Sequence, residues 1–376
     1  RMTGDRGWLE RIAPALVKGC DWIIYERRQT MQEGAIQYGF LPSGSLEDVT
    51  DYWTWLSTNA YACWGFQAAV EVLQEIDHPE SARLAEEAKA FRRDLRRGFF
   101  AACSRSPVVR LRDGRWVPHF PSRQERRGRD FGWLREVLEG ASHLIYCSLI
   151  APNEPAALWI IEDYEDNLFL SEQYGYQVDD FERQWFHQGG FSMQSNLLLF
   201  PPLYLWRDEP KHYLRGYFNA FNSAFFPDVA MMCEHALPDL AHWLGDHFKS
   251  SDEANSNTWL QGMFLREEGG VLHVGQAIPR QWLTHGRRVE IHNAATYFGK
   301  TSVEYISQAA AGWIDVKLQP PDRLMPERIL LRVRHPEGKP MREVWVNGLY
   351  HRAFDAVREV IVLEGIGEAV TVRVGY

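Results

Sequence analysis

Residues 39–55 of this 376-residue chain, GFLPSGSLEDVTDYWTW, set three carboxylates, Glu47, Asp48 and Asp51, against three aromatic rings, Tyr52, Trp53 and Trp55. Carboxyls beside apolar rings are suited to proton transfer, because a ring that excludes water raises a carboxyl's pKa and lets it hold a proton near neutrality. A helix N-terminus explains part of the pattern, since Asp and Ser cap orphan N–H groups and acids complement the dipole there. Asp51, opening an apolar-periodic run, is the member that capping accounts for best. A second loop, residues 168–192, mixes Glu172, Asp179, Asp180, Glu182, Arg183 and His187 with Tyr174, Tyr176, Trp185 and Phe186. Acids and Arg can hydrogen-bond hydroxyl groups while rings stack on flat ligand faces, although ion pairs within a structural loop would use the same residues. A third acid, Glu234, sits in the apolar stretch VAMMCEHALP, where a buried charge needs a reason such as a pairing with His235 or a nearby Arg.

Composition narrows the ligand. Fifteen Trp residues supply large apolar faces with a polar edge, which suit amphipathic partners such as sugars, though any single ring also reads as core. A net charge of -9 argues against a nucleic-acid partner, which would need a basic footprint. The one basic run, SRQERRGRD at 122–130, reads as a solvated loop before a helix. No apolar run reaches membrane-spanning length, and no secretory leader is visible. The five cysteines are scattered and lack CxxC spacing, so neither a disulfide framework nor a zinc site is indicated, and small buried hydrophobes in a cytoplasmic setting are expected. No G-x-S-x-G elbow, P-loop, dinucleotide fingerprint or HExxH occurs, and Asp179, Asp180 and Glu182 lack the spacing of a calcium loop. Neither a metal nor a cofactor is expected.

Apolar periodicity predicts helices over 8–28, 52–76, 80–103, 130–149, 153–166, 191–206, 210–225 and 252–266. Short links alternate with long ones at 29–50, 104–129, 167–190 and 226–251, and in stacked hairpins loops of one kind gather at one end. After 267–270 (EEGG) short alternating runs divided by Gly, Pro and Asp read as a β-sandwich, with VNG a hairpin turn. The expected fold is mainly α with a C-terminal all-β domain: paired helices in 1–267, then a sandwich in 268–376.

This order, with YGFLPSGSLEDVTDYWTWLSTNAYACWGFQAA (38–69) and DEANSNTWLQGMFLREEGGVLHVGQAIPRQWL (252–283), resembles the six-hairpin (α/α)-barrel glycosidases, glucoamylase-like bacterial enzymes included. The first segment is similar to that group's Gly-Leu/Phe-Leu-Pro loop, acid cluster, aromatic patch and Asn-led inner helix. The second is similar to its last barrel helix running into the sandwich. The resemblance implies a partial (α/α) toroid: a complete one has twelve helices, so with 252–266 as the last, 8–28 becomes the fifth and four are missing upstream.

The same resemblance implies that the catalytic acids lie in 29–51 and 226–251, as one protonated carboxyl for the leaving oxygen and one carboxylate for water or the sugar. Asp48 ranks first as acid, then Glu47, then Asp51, and Glu234 ranks ahead of Asp239 as base. Trp53, Trp55, Trp133, Tyr174, Tyr176 and Trp185 would line sugar subsites, with Asp179, Asp180, Arg183 and His235 bonding hydroxyls. The implied activity is inverting hydrolysis of an oligo- or polysaccharide, with a second copy or an upstream barrel segment completing the cleft. Two alternatives stay open: a polysaccharide lyase using Tyr174, Tyr176, His187 or His235 as base with Arg183 or Asn59 neutralising a uronate, and a non-catalytic carbohydrate-binding module.

Overall fold

The computed structural model describes residues 2–46, 49–130, 138–169, 199–237, 242–246 and 248–376. Helices dominate the N-terminal part and strands the C-terminal part. Among the described residues the α-helices are α1 (Arg6–Gln29), α2 (Leu56–Glu75), α3 (Ser81–Arg105), α4 (Ser142–Tyr146), α5 (Pro155–Tyr164), α6 (Phe200–Trp206), α7 (Pro210–Ala224) and α8 (Ser250–Phe264). Two compact units divide the chain, one of Asp5–Arg207 with Arg215–Glu253, the other chiefly of Asp208–Leu214 with Ala254–Tyr376.

Local chemistry sets the helix ends. The Asp5 carboxylate accepts from the Trp8 N–H at 2.8 Å to open α1, and Arg27 and Arg28 in its last turn complement the dipole. Helix α3 buries Leu84, Ala88, Phe91, Leu95, Phe99 and Ala102, a stripe at three- and four-residue spacing. Gly98 on that helix leaves room for the Phe40 ring, which a Cβ there would meet at 2.5 Å.

The helix expected over 52–76 starts only at Leu56. Residues Val49–Trp53 instead form strand β2, antiparallel to β1 (Gly44–Leu46), with Gly44 opposite Trp53 and Leu46 opposite Val49. β-branched and aromatic residues favour the pleated conformation, and here a partner strand is close enough to use it. Trp55 is the N-cap residue of α2 and makes no side-chain cap bond, so the capping role expected of Asp51 is not realised. The loop expected over 104–129 contains the hairpin β3 (Val108–Arg110) and β4 (Trp116–Pro118). The one over 226–251 contains β5 (Phe225–Phe226) with β6 (Met231–Met232), and β7 (His235–Leu237) with β8 (His242–Leu244). The helix expected over 130–149 is described only as Ser142–Tyr146, residues 131–137 lying outside the described set.

Two sheets make up the C-terminal region. Strands β9 (Leu265–Glu268), β10 (Val271–Val274), β14 (Arg328–Arg332), β17 (Phe354–Asp355) and β18 (Val360–Leu363) form a five-stranded sheet in the order β17-β18-β14-β10-β9. Strands β11 (Arg288–Thr296), β12 (Gly299–Gln308), β13 (Trp313–Gln319), β15 (Glu343–Val346), β16 (Leu349–Tyr350) and β19 (Val370–Gly375) form a six-stranded one in the order β11-β12-β13-β19-β15-β16. Alternate residues turn inward, among them Ile314, Val316 and Leu318 on β13 and Val370, Val372 and Val374 on β19. The VNG turn is present: Asn347 and Gly348 carry φ of 50° and 80° between β15 and β16, the left-handed pair that a two-residue hairpin needs. All five cysteines are buried free thiols. No described helix is long and apolar enough to cross a membrane.

Candidate active site

The acid-bearing hairpin is fixed at its root by groups buried beneath it. Gly39 has φ of 75°, and a Cβ there would stand 2.5 Å from the Asp94 carboxylate, so glycine is required on both counts. The fully buried Arg27 guanidinium donates from Nε to the Gly39 carbonyl at 2.9 Å and from Nη2 to Asp94 at 2.8 Å, and lies 4.3 Å from the Phe91 ring centroid. A buried cation is tolerated only with such partners, and in return it fixes where the loop departs. Asn59 on α2 holds the loop from the other side. Its Oδ1 accepts from Leu41 N–H and its Nδ2 donates to the Trp55 carbonyl, each at 2.8 Å. Trp55 is 1% exposed, and its Nε1 donates to the Gly44 carbonyl at 2.9 Å, which closes the hairpin across its base.

Residues 122–130 form a second wall. Leu56 N–H donates to the Ser122 carbonyl at 2.8 Å, Gln124 N–H to the Thr54 carbonyl at 3.1 Å, and the Glu125 carboxylate accepts from Thr54 N–H at 3.2 Å. The Arg123 guanidinium lies 4.1 Å from the Trp53 ring centroid, a cation–π contact, and donates to Asp130 at 2.7 Å. Ser122 adds a hydroxyl bond to the same carboxylate at 3.1 Å. The expected solvated character of 122–130 holds for Glu125, Arg126 and Arg127, which are exposed, and is corrected for Ser122, Gln124 and Asp130, which are buried. Arg123 and Asp130 are site residues that sequence reasoning missed. A charged run shows its composition but not the ring that one of its members will cover.

A third segment is tied in through a buried carboxylate. Asp163 on α5 accepts from Arg129 at 2.6 Å and from Asn167 at 2.8 Å, and stands 2.9 Å from His119 Nδ1. Burial works to raise its pKa, but the bond to His119 and the charge of Arg129 outweigh that and hold it below the ordinary carboxylate value. Arg112 N–H donates to Asp166 at 2.8 Å, just after α5. The chain next enters the acid- and aromatic-rich stretch 168–192.

Glu234 has a separate setting, between β6 and β7. Its Oε1 accepts from Lys249 Nζ at 2.6 Å and its Oε2 from Asp246 N–H at 3.1 Å, with the Glu234 N–H bonded to the Asp246 carbonyl. Its partners thus include Lys249, which the sequence alone did not single out. Hydrogen bonding to Glu234 raises the pKa of Lys249, so the lysine stays charged at neutral pH.

The structure places Asp51 and Trp53 on one strand, with Trp55 two residues beyond it at the start of α2. Asp51 and Trp53 are half-buried. Trp55 is corrected from an open stacking face to a core ring packed with Leu46 and Trp53. Glu47, Asp48, Trp133, Tyr174, Tyr176, Asp179, Asp180, Arg183, Trp185, His187 and Asp239 lie outside the described residues, as does the side chain of His235, whose backbone pairs with Leu244. Among the described residues no group of three His, Cys, Asp or Glu stands ready to hold a metal ion.

No family model matches the sequence, and no curated protein does. Among solved structures the chain is similar to an alpha-L-rhamnosidase from Dictyoglumus thermophilum, with a TM-score of 0.52 and 9% identity, over 99% of this chain and 38% of that one. A solved glycoside hydrolase matches over 46% of this chain and 31% of its own at 10% identity, with a TM-score of 0.26, too slight to inform the fold. The likeness to the rhamnosidase is one of fold, and this chain spans 38% of that enzyme's length.

Proposed function

We propose that the protein is a glycoside hydrolase that cleaves an oligo- or polysaccharide by inverting general acid/base catalysis. The observation that carries this reading is the hairpin Gly44–Trp53, an acid-bearing loop clamped by buried bonds on a fold similar to that of a glycosidase. Asp48 is the first choice for proton donor, then Glu47 and Asp51. Glu234 is the base, and its salt bridge with Lys249 suits the ionised member of such a pair. Trp53, Trp133, Tyr174, Tyr176 and Trp185 stack on sugar faces, and Asp179, Asp180, Arg183 and His235 bond hydroxyls. Residues 1–267 form the catalytic domain and 268–376 the sandwich domain.

An α-L-rhamnoside is the first substrate to try, because that is the sugar named for the rhamnosidase. The test is release of p-nitrophenol from a panel of aryl glycosides headed by the α-L-rhamnoside, run beside uronate polymers. Hydrolysis lost in Asp48→Asn and Glu234→Gln supports the reading. An unsaturated, ultraviolet-absorbing product from a uronate polymer instead assigns a lyase and overturns it. Against a lyase stands Asn59, whose amide oxygen and nitrogen are both spent on backbone groups and are not turned to a uronate carboxylate.

A further inference from the structure

The C-terminal unit contains a cavity of about 780 Å³, bounded by the end of α8, the 3-10 turn Arg280–Leu283 and β11. Its volume falls in the range of small-molecule sites, roughly 300–1,000 Å³. Phe264, Trp282 and Ile291 give it an apolar floor, the Phe264 and Trp282 rings lying 6.4 Å apart. Asn257, Gln281 and Arg287 stand around that floor. Two further rim charges are already spent, Arg288 donating to Glu290 at 2.8 Å and pairing with Glu304 at 2.7 Å. The side chains of Asn257, Gln281 and Arg287, by contrast, make no hydrogen bond or ion pair among the described residues.

The chemistry of this lining is selective. A purely apolar ligand would leave the amides unused, and a small inorganic ion would leave the aromatic floor unused. Asn and Gln each offer two donors and one acceptor oxygen, which match a hydroxyl's ability to give and take a hydrogen bond. An aromatic floor with neutral amides above it matches a pyranose ring, apolar on its C–H face and polar around its edge. We propose that this cavity is a saccharide-binding site, separate from the hydrolase site and independent of whether that reading holds. Arg287 is its specificity element: a neutral sugar uses it as a hydrogen-bond donor, and a uronate pairs its carboxylate with it.

Calorimetric titration of the whole chain with maltotriose and with trigalacturonate tests this. Expected is saturable binding of at least one of them below about 10 mM, weakened roughly tenfold or more in Gln281→Ala and in Trp282→Ala. Gln281 is exposed, so its truncation reads binding even if loss of Trp282 disturbs the turn. Asp51→Asn, on the hairpin, is the control and leaves the binding unchanged. Arg287→Ala weakens trigalacturonate more than maltotriose if the uronate is the partner, and both alike if the neutral sugar is. Binding that follows Asp51→Asn and ignores Gln281→Ala overturns the assignment, as does failure of both sugars to bind.

Discussion

Two acid-bearing segments of the helical unit are held in different ways. The hairpin Gly44–Trp53 is anchored from distant parts of the chain: Arg27 on α1, Asn59 on α2, and Ser122 to Glu125 before α4. Glu234 is held by its own neighbourhood, through Lys249 and the Asp246 backbone. Removing a long-range anchor should therefore disturb the fold as well as the acids, whereas removing the local clasp should leave the fold and alter only the carboxylate. That contrast suits a proton donor that must be placed to fractions of an ångström and a carboxylate that must above all stay charged.

The largest effect expected is on turnover. Asp48→Asn should lower kcat/KM on the responsive glycoside by about 10²- to 10⁴-fold, the usual worth of a positioned acid, with unfolding by urea unchanged. Loss of stability in step with activity would mean that Asp48 serves the fold and not the reaction. Arg27→Met should cost roughly 3–5 kcal/mol by equilibrium urea unfolding, because it leaves Asp94 and the Gly39 carbonyl without their shared donor. A cost under about 1 kcal/mol would remove the long-range half of the comparison.

The next effect depends on pH. His143 on α4 is wholly buried against Tyr61, and burial depresses its pKa from the ordinary 6.5 to about 4. As pH falls below 6.5 the unfolded chain takes up a proton that the folded ring refuses, so stability declines with acidity until the folded pKa is reached. Wild type should lose on the order of 2 kcal/mol more than His143→Asn between pH 7 and pH 5. Parallel curves would show that this ring does not set the acid limit of the helical unit. The smallest effect belongs to the local clasp: Lys249→Met should shift stability by less than about 1 kcal/mol, the pair being partly exposed, while lowering kcat/KM measurably.

What the sequence revealed followed the range of the interactions. The C-terminal strands were legible because alternation is local: Trp313–Gln319 buries every second residue as its pattern implies, and Asn347-Gly348 turns where its chemistry requires. Asp51 was legible as one of an acid cluster, and its place in a strand was not. Asp51 before an apolar run reads as a cap, and only the partner strand Gly44–Leu46, supplied by the tertiary fold, makes it a strand residue. The same holds for Arg123, polar in its run yet covering Trp53, and for Trp55, which stacking chemistry placed on a ligand and packing placed in the core. Burial of polar groups by distant segments leaves no local trace.

On the proposed function, two carboxylates in these segments hydrolyse a glycosidic bond with inversion. Proton NMR of the first sugar released from p-nitrophenyl α-L-rhamnoside, or whichever aryl glycoside responds, tests it most directly when read together with Glu234→Gln. Expected are a first-formed anomer of opposite configuration to the substrate and turnover reduced at least about a hundredfold in the variant. A retained anomer, or full turnover by Glu234→Gln, would contradict it.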